Sequence, residues 1–253
     1  MYNILHNSKS GMSASQNKIN ITSNNIANSQ TSGYKKLDAG FLDLFTETLD
    51  RKSYPNNSAN NVTGTGVKVS EAVRNMSQGA LKSTEIETNL AIDGDGFFAV
   101  IGPNGAYKYT RNGEFNLDGE GRLVDNYGNF LEVTYNNEMN PANVNLANGE
   151  LNINEQGEIF LDGNNIGKIN LYMPTGNNDL TSVGDSMFVL NENANMYIVE
   201  DTNILQGYAE MSNVDMSQEM TDLIMLQRAF QFNSSAMKSV DEMWGMINNL
   251  QGR

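Results

Sequence analysis

The chain contains no cysteine. Disulfides, thiolate nucleophiles, iron–sulfur clusters and cysteine-based zinc sites are thereby excluded. His6 is its single histidine, which leaves a Ser-His-Asp triad or an imidazole-rich metal site almost nothing to draw on. Basic residues are scarce: 16 Lys and Arg stand against 30 Asp and Glu, a formal charge of −14. A surface this acidic repels phosphate backbones and anionic lipid, so neither nucleic acid nor membrane insertion is expected. No stretch of about 18 apolar residues exists to span a bilayer as a helix. Met1–Leu5 carries no basic region, and Ile4-Leu5 runs into His6, Asn7, Ser8 and Lys9 rather than an apolar stretch. The expectation is a cytoplasmic protein, or one that leaves by a route needing no cleaved signal.

What is present falls into zones. With 253 residues the chain suits one large domain or two modest ones. Over residues 1 to 33, apolar or small side chains recur at Met1, Ile4, Ser8, Met12, Ser15, Ile19, Thr22 and Ile26. Steps of three and four predict an amphipathic helix meant for another helix, stopping near Asn28 with Gly33 marking the end. The other terminus mirrors it. Asp215 has the chemistry of an N-cap, and Met220, Leu223, Gln227, Phe230, Ser234, Met237, Val240, Trp244 and Ile247 follow at helical spacing. Neither Pro nor Gly interrupts residues 216 to 244. A helix over 216–250 would be a rod of about 50 Å, atypical inside a globule and suggestive of a coiled coil or bundle.

Between the ends the period changes. Short apolar runs such as Phe97–Ile101, Tyr107–Thr110, Ile159–Leu161 and Met187–Leu190 are split by Asp-Gly and Asn-Gly pairs, among them Asp93-Gly94, Asn104-Gly105, Asn112-Gly113 and Asp118-Gly119. This pattern predicts an antiparallel β domain. Arg51 to Val62 is poor in apolar residues and reads as a loop, or a segment ordered only on assembly. The fold class is therefore α+β, with long terminal helices in a coiled coil or bundle flanking a central antiparallel β-rich domain. The expected divisions are 1–33 (helix), 34–70 (extended linker), 71–207 (β domain) and 208–253 (helix). Helix stripes at the two ends are hidden most cheaply by pairing with each other and then with neighbours, the signature of a polymer or bundle subunit.

Chemistry is hard to find. Asp93-Gly94-Asp95-Gly96 opens like a calcium loop, but Phe97 and Asn104 stand where that loop needs its next ligand and its closing Glu. A tight turn into a buried strand is the simpler reading. Gly64-Thr65-Gly66 lacks the third glycine and the βαβ setting of a dinucleotide site. Phosphate-loop and Gly-x-Ser-x-Gly patterns are missing, and no carboxylate pair is singled out for glycoside hydrolysis. No catalytic, cofactor-binding or metal-binding residue is assigned. The methionines of the last helix suit either ordinary packing or an adaptable interface with non-identical neighbours.

Several segments together resemble the axial proteins of the bacterial flagellum, the rod and hook family. Ser23-Asn24-Asn25-Ile26-Ala27-Asn28 followed by Thr31-Ser32-Gly33-Tyr34-Lys35 is similar to that family's rod signature. Asn89–Phe98 and Tyr109–Phe115 resemble the start of its central domain, Gln206-Gly207-Tyr208 with Ser212–Asp215 its closing motif, and Gln227–Phe230 with Asn233 its last helix. The matches run in order over almost the whole chain. The resemblance implies a structural subunit with no enzymatic activity and no cofactor. It implies terminal helices forming an inner tube, a β domain facing outward, and export without a cleaved signal through the flagellar type III apparatus to the basal body. Lys35-Lys36, Phe41–Phe45 and Gly64–Val67 look more like the distal than the proximal rod type. The implied partners are copies of itself, other rod and hook proteins, the export apparatus, and outer ring proteins where the envelope has them. The residues expected at the assembly interface are Ile4, Met12, Ile19, Asn25, Ile26, Asn28, Gly33, Tyr34, Met220, Leu223, Gln227, Phe230, Met237 and Trp244. A proximal rod or hook-type protein is the rival within the class. A secreted carbohydrate-binding or hydrolytic β domain with oligomerisation helices is the rival outside it.

Overall fold

A computed structural model of the chain describes residues 2–44, 46–48, 62–135, 146, 149–176, 179–192, 194–199 and 202–251. Met1, the first position of the expected helical stripe, and residues 51–61 of the expected loop lie outside the described residues. The fold is α+β, with an N-terminal helix, a β-rich middle and a C-terminal helix. The chain divides into two compact units. One comprises Met1–Ala27, Lys36–Asn75 and Val214–Arg253; the other comprises Asn28–Lys35 and Met76–Asn213.

In the first unit, α1 spans Tyr2–Ala27 and α2 spans Met216–Gln251. The 36 residues of α2 make a rod of about 54 Å. Asp215 caps α2 as expected: its Oδ1 accepts from the backbone N–H of Ser217 at 2.8 Å and of Gln218 at 3.2 Å. These are two of the donors a helix start leaves without a carbonyl. The helices run antiparallel. Asn25 meets Glu219 near one end, while Gly11 faces Asn233 fourteen residues further along each helix. The described residues of Lys36–Asn75 pair into an antiparallel ribbon. Leu37–Asp38 pairs with Val73–Arg74, Phe41–Asp43 with Val67–Val69, and Thr46–Thr48 with Val62–Gly64. Ser10 Oγ accepts from Val67 N–H and Asn7 donates to the Gly64 carbonyl, which tie the ribbon to α1.

The second unit holds the β structure. Its largest sheet, nine antiparallel strands among the described residues, is centred on Phe97–Ile101. A second sheet of four antiparallel strands contains Leu151–Ile153, Glu158–Leu161, Asn164–Lys168 and Thr134–Tyr135. Phe98, Val100 and Phe115 of the first sheet and Ile159 of the second lie in one buried apolar cluster with Ile169 and Ile204. Asp93-Gly94-Asp95-Gly96 is the tight turn that delivers Phe97–Ile101 to this core. Two more strand pairs close the unit over long separations: Leu90–Asp93 with Asn203–Gln206, and Leu81–Ser83 with Tyr208–Glu210.

Candidate functional site

The residues drawn from the flagellar-type motifs are not arranged as a reaction centre. Among the described residues no group of three or more His, Asp or Glu is placed to hold a metal ion. An open cleft of about 290 Å³ is lined by Glu85, Glu87, Glu150, Leu151, Asn152, Gln206 and Gly207, with no aromatic ring on which a sugar could stack. Among the described residues no helix is long and apolar enough to cross a membrane.

In the β unit the motifs converge on a buried ionic tie. Lys35, Arg111 and Glu210 are each almost completely buried. Glu210 Oε1 accepts from Lys35 Nζ at 2.6 Å and from the backbone N–H of Gly79 at 2.8 Å. Its Oε2 accepts from Arg111 Nη1 at 3.2 Å, and its backbone carbonyl accepts from Gly33 N–H at 2.8 Å. Two further donors are used: Lys35 Nζ donates to the Ser77 carbonyl and Arg111 Nη2 to the Gly94 carbonyl. Burial lowers the pKa of both Lys35 and Arg111, and the Glu210 carboxylate opposes that shift. One carboxylate thus joins the N-terminal signature, the central domain and the closing motif. Gly33 is part of the same closure. Its φ is +68°, and a Cβ there would lie 2.4 Å from the backbone nitrogen of Asn112. Tyr34 beside it is buried, and Ser32 donates to the Glu114 carboxylate.

The helical unit has a tie of its own. Asn25 clamps the backbone of Leu37 from both sides, donating to its carbonyl at 2.8 Å and accepting from its N–H at 3.0 Å. The same Asn25 amide reaches Glu219 Oε2 at 3.2 Å, while Lys36 Nζ lies 2.6 Å from Glu219 Oε1. The hydrogen bond to Glu219 raises the Lys36 pKa above its ordinary 10.5. A raised lysine pKa contributes stability that is complete below the unfolded value and is lost as pH rises through the folded one. The helical signal of the chain is therefore expected to become easier to melt with urea as pH rises above about 10.4, and Lys36→Met should flatten that dependence. Equal pH dependence in the two proteins would remove Lys36 as its cause.

The helix seam keeps Ser8, Ser15 and Thr22 of the expected stripe and shifts elsewhere. On α1 the buried positions are Ser8, Gly11, Ala14, Ser15, Thr22 and Asn25, whereas Met12, Ile19 and Ile26 are half-buried and Ile4 is half-exposed. Small side chains let the backbones approach: a Cβ on Gly11 would sit 2.8 Å from the Asn233 amide. On α2 the stripe starts at Glu219, not Met220, and continues through Leu223, Leu226, Phe230, Asn233, Met237, Val240, Trp244 and Ile247. Met220 and Gln227 are exposed, one step off this stripe. Asn28 is half-buried. Sequence reasoning missed Arg111, Glu210 and Glu219 as anchors. A signal existed for Glu219, because it extends the three-four spacing one step towards the N-cap, but a carboxylate does not register in an apolar pattern.

A second apolar stripe lies on the opposite side of α2. Ile224, Met225, Phe232, Met246 and Leu250 are exposed, Phe232 at 74% and Leu250 at 77%. At 100° per residue they cluster roughly opposite Glu219, Phe230 and Met237. Arg228, Ser235 and Ser239 share this face, and among the described residues nothing covers its five large apolar side chains.

Comparison with known proteins accounts for such a molecule. Residues 5–35 match the family described as "Flagella basal body rod protein", residues 91–161 the "Flagellar hook protein FlgE/F/G D1 domain", and residues 205–250 the "Flagellar basal body rod FlgEFG protein C-terminal". The flagellar basal-body rod protein FlgG of Buchnera aphidicola from Acyrthosiphon pisum is 34% identical, over 96% of this chain and 97% of its own length. FlgG of Borreliella burgdorferi is 31% identical over 99% of both chains, and FlgG of Caulobacter vibrioides 31% over 98% of both. These relatives are structural proteins of the flagellar axis. The chain belongs to the flagellar basal-body rod protein family, in its FlgG-like branch, and is a structural subunit of the rod in the basal body.

Proposed function

We propose that this chain is a subunit of the distal rod, which builds with copies of itself a tubular polymer that carries torque from motor to hook. The observation that carries this reading is the uncovered stripe of α2. Leaving Ile224, Phe232, Met246 and Leu250 in water forfeits roughly 1.5–3 kcal/mol for each side chain that could be fully buried. A homopolymer recovers that energy by placing the stripe against helices of the next copies as a coiled coil. The half-buried Met12, Ile19, Ile26, Leu223, Phe230, Met237 and Trp244, with exposed Ile4, Met220 and Gln227, border the same contacts. Asn25, Asn28, Gly33 and Tyr34 act one step back, by fixing the chain that carries them. In this reading the helices 1–33 and 208–253 form the tube and residues 71–207 project from it, with 34–70 between. Other rod and hook proteins meet it end to end. The flagellar type III apparatus delivers it, and ring proteins surround it where the envelope has them.

The test is Phe232→Gln with Met246→Gln, which keeps good helix formers at both positions. Monomer stability should stay within about 0.5 kcal/mol of wild type, as for surface substitutions elsewhere. Polymer formation seen by light scattering and electron microscopy, and motility of a strain carrying only the variant, should both be lost. Wild-type assembly and motility would remove the stripe from the interface.

A further inference from the structure

Charge is divided between the two units unevenly. The helical unit holds ten Lys and Arg against ten Asp and Glu, a net charge of zero. The β unit holds six against 20, so it carries the entire −14. Two of its six cations, Lys35 and Arg111, are buried on Glu210 and do nothing for the surface. Helix α1 contains no carboxylate at all.

We propose that self-association of this chain is gated by counter-cations: the neutral helical unit supplies the attraction, and the acidic β unit holds copies apart until cations screen it. This inference rests on the reading above that copies associate. Repulsion between like bodies grows with the product of their charges. A folded unit the size of the β unit has a radius of gyration of about 15 Å, so such units in adjacent copies lie on the order of 30–40 Å apart. The screening length is about 30 Å at 0.01 M salt and about 8 Å at 0.15 M. At the lower salt screening leaves roughly a third of the repulsion between neighbouring β units; at the higher it leaves on the order of one per cent. Many of the carboxylates responsible, including Glu85, Glu87, Glu150, Glu155 and Glu192, are exposed and therefore reached by mobile cations. The consequence is a protein that stays dispersed in dilute salt while its apolar stripe is uncovered, and polymerises when ionic strength rises.

The experiment measures the critical concentration for assembly of the full chain, by sedimentation, from about 10 mM to about 150 mM NaCl. A parallel series uses the variant with Glu85, Glu87, Glu150, Glu155 and Glu192 all changed to Gln, after its melting curve has been matched to wild type. Wild type is expected to show a fall of about tenfold or more across this range. The variant should assemble already at the lowest salt and with a shallower dependence, which separates screening from general salting-out. Polymer whose critical concentration ignores salt, or a variant with the wild-type slope, would overturn the gating while leaving the rod reading in place. Absence of assembly by both proteins at every salt would overturn the rod reading and the gating with it.

Discussion

Glu210→Gln is expected to cost the β unit about 3–5 kcal/mol, the usual penalty for removing one partner of a buried ion pair. The substitution changes little in volume. It takes the negative charge from between Lys35 Nζ and Arg111 Nη1, which keep their burial but lose their counter-charge. The amide also offers a single acceptor oxygen where the carboxylate offers two, so the bonds to Lys35, Gly79 and Arg111 cannot all survive. Thermal or urea melting followed at the β unit reads the loss directly. A double-mutant cycle shows that the tie, not general damage, is responsible: in a Lys35→Met background the added cost of Glu210→Gln should shrink by 1 kcal/mol or more, roughly the coupling seen between directly contacting groups. Additive costs would mean that the two side chains act independently.

Gly33→Ala is expected to be nearly as harmful, for a different reason. An alanine held at φ of +68° pays about 1–2 kcal/mol for its left-handed backbone alone. Its Cβ would also lie 2.4 Å from the Asn112 nitrogen and 2.7 Å from the Asn112 Cα. Those are main-chain atoms and cannot swing aside. Relief requires the 28–35 segment to move away from Arg111 and Asn112, which would stretch the hydrogen bond from Gly33 N–H to the Glu210 carbonyl and disturb Lys35 two residues on. The expected loss is about 3 kcal/mol in total, visible as a lowered melting temperature. The same substitution at Gly119, where an added Cβ meets nothing within 4 Å, should be almost silent and serves as the control. Equal effects at the two positions would contradict the close approach.

Much of this architecture was legible in the sequence because it rests on periodicity and turn chemistry. The three-four spacing from Leu223 to Ile247 and the Asp215 cap specify α2, and Asp-Gly and Asn-Gly pairs punctuate the strands. The flagellar-type motifs marked the family through nearly the whole chain. Two things were not legible. The three-four spacing placed Ser8, Ser15 and Thr22 in the α1 seam beside Ile4 and Met12, but it could not rank them, whereas close approach of the helices buries the small residues and adds Gly11 and Ala14. Likewise Lys35-Lys36 read only as a type marker. That the first of this pair is buried on Glu210 and the second lies against Glu219 depends on pairing across 175 and 183 residues, which local spacing does not encode.

That separation bears on when the protein can fold. The strands that seal the β unit join Leu90–Asp93 to Asn203–Gln206 and Leu81–Ser83 to Tyr208–Glu210. The carboxylate that neutralises Lys35 and Arg111 comes with the last of these strands. A ribosome making about 5–20 residues per second exposes Lys35 on the order of ten seconds or more before Glu210 exists. Any earlier closure would bury two cations without their anion and would leave the edges of Leu81–Ser83 and Leu90–Asp93 unpaired. For most of its synthesis this chain is therefore barred from its own final form, and the β unit can close only after Glu210 has been made.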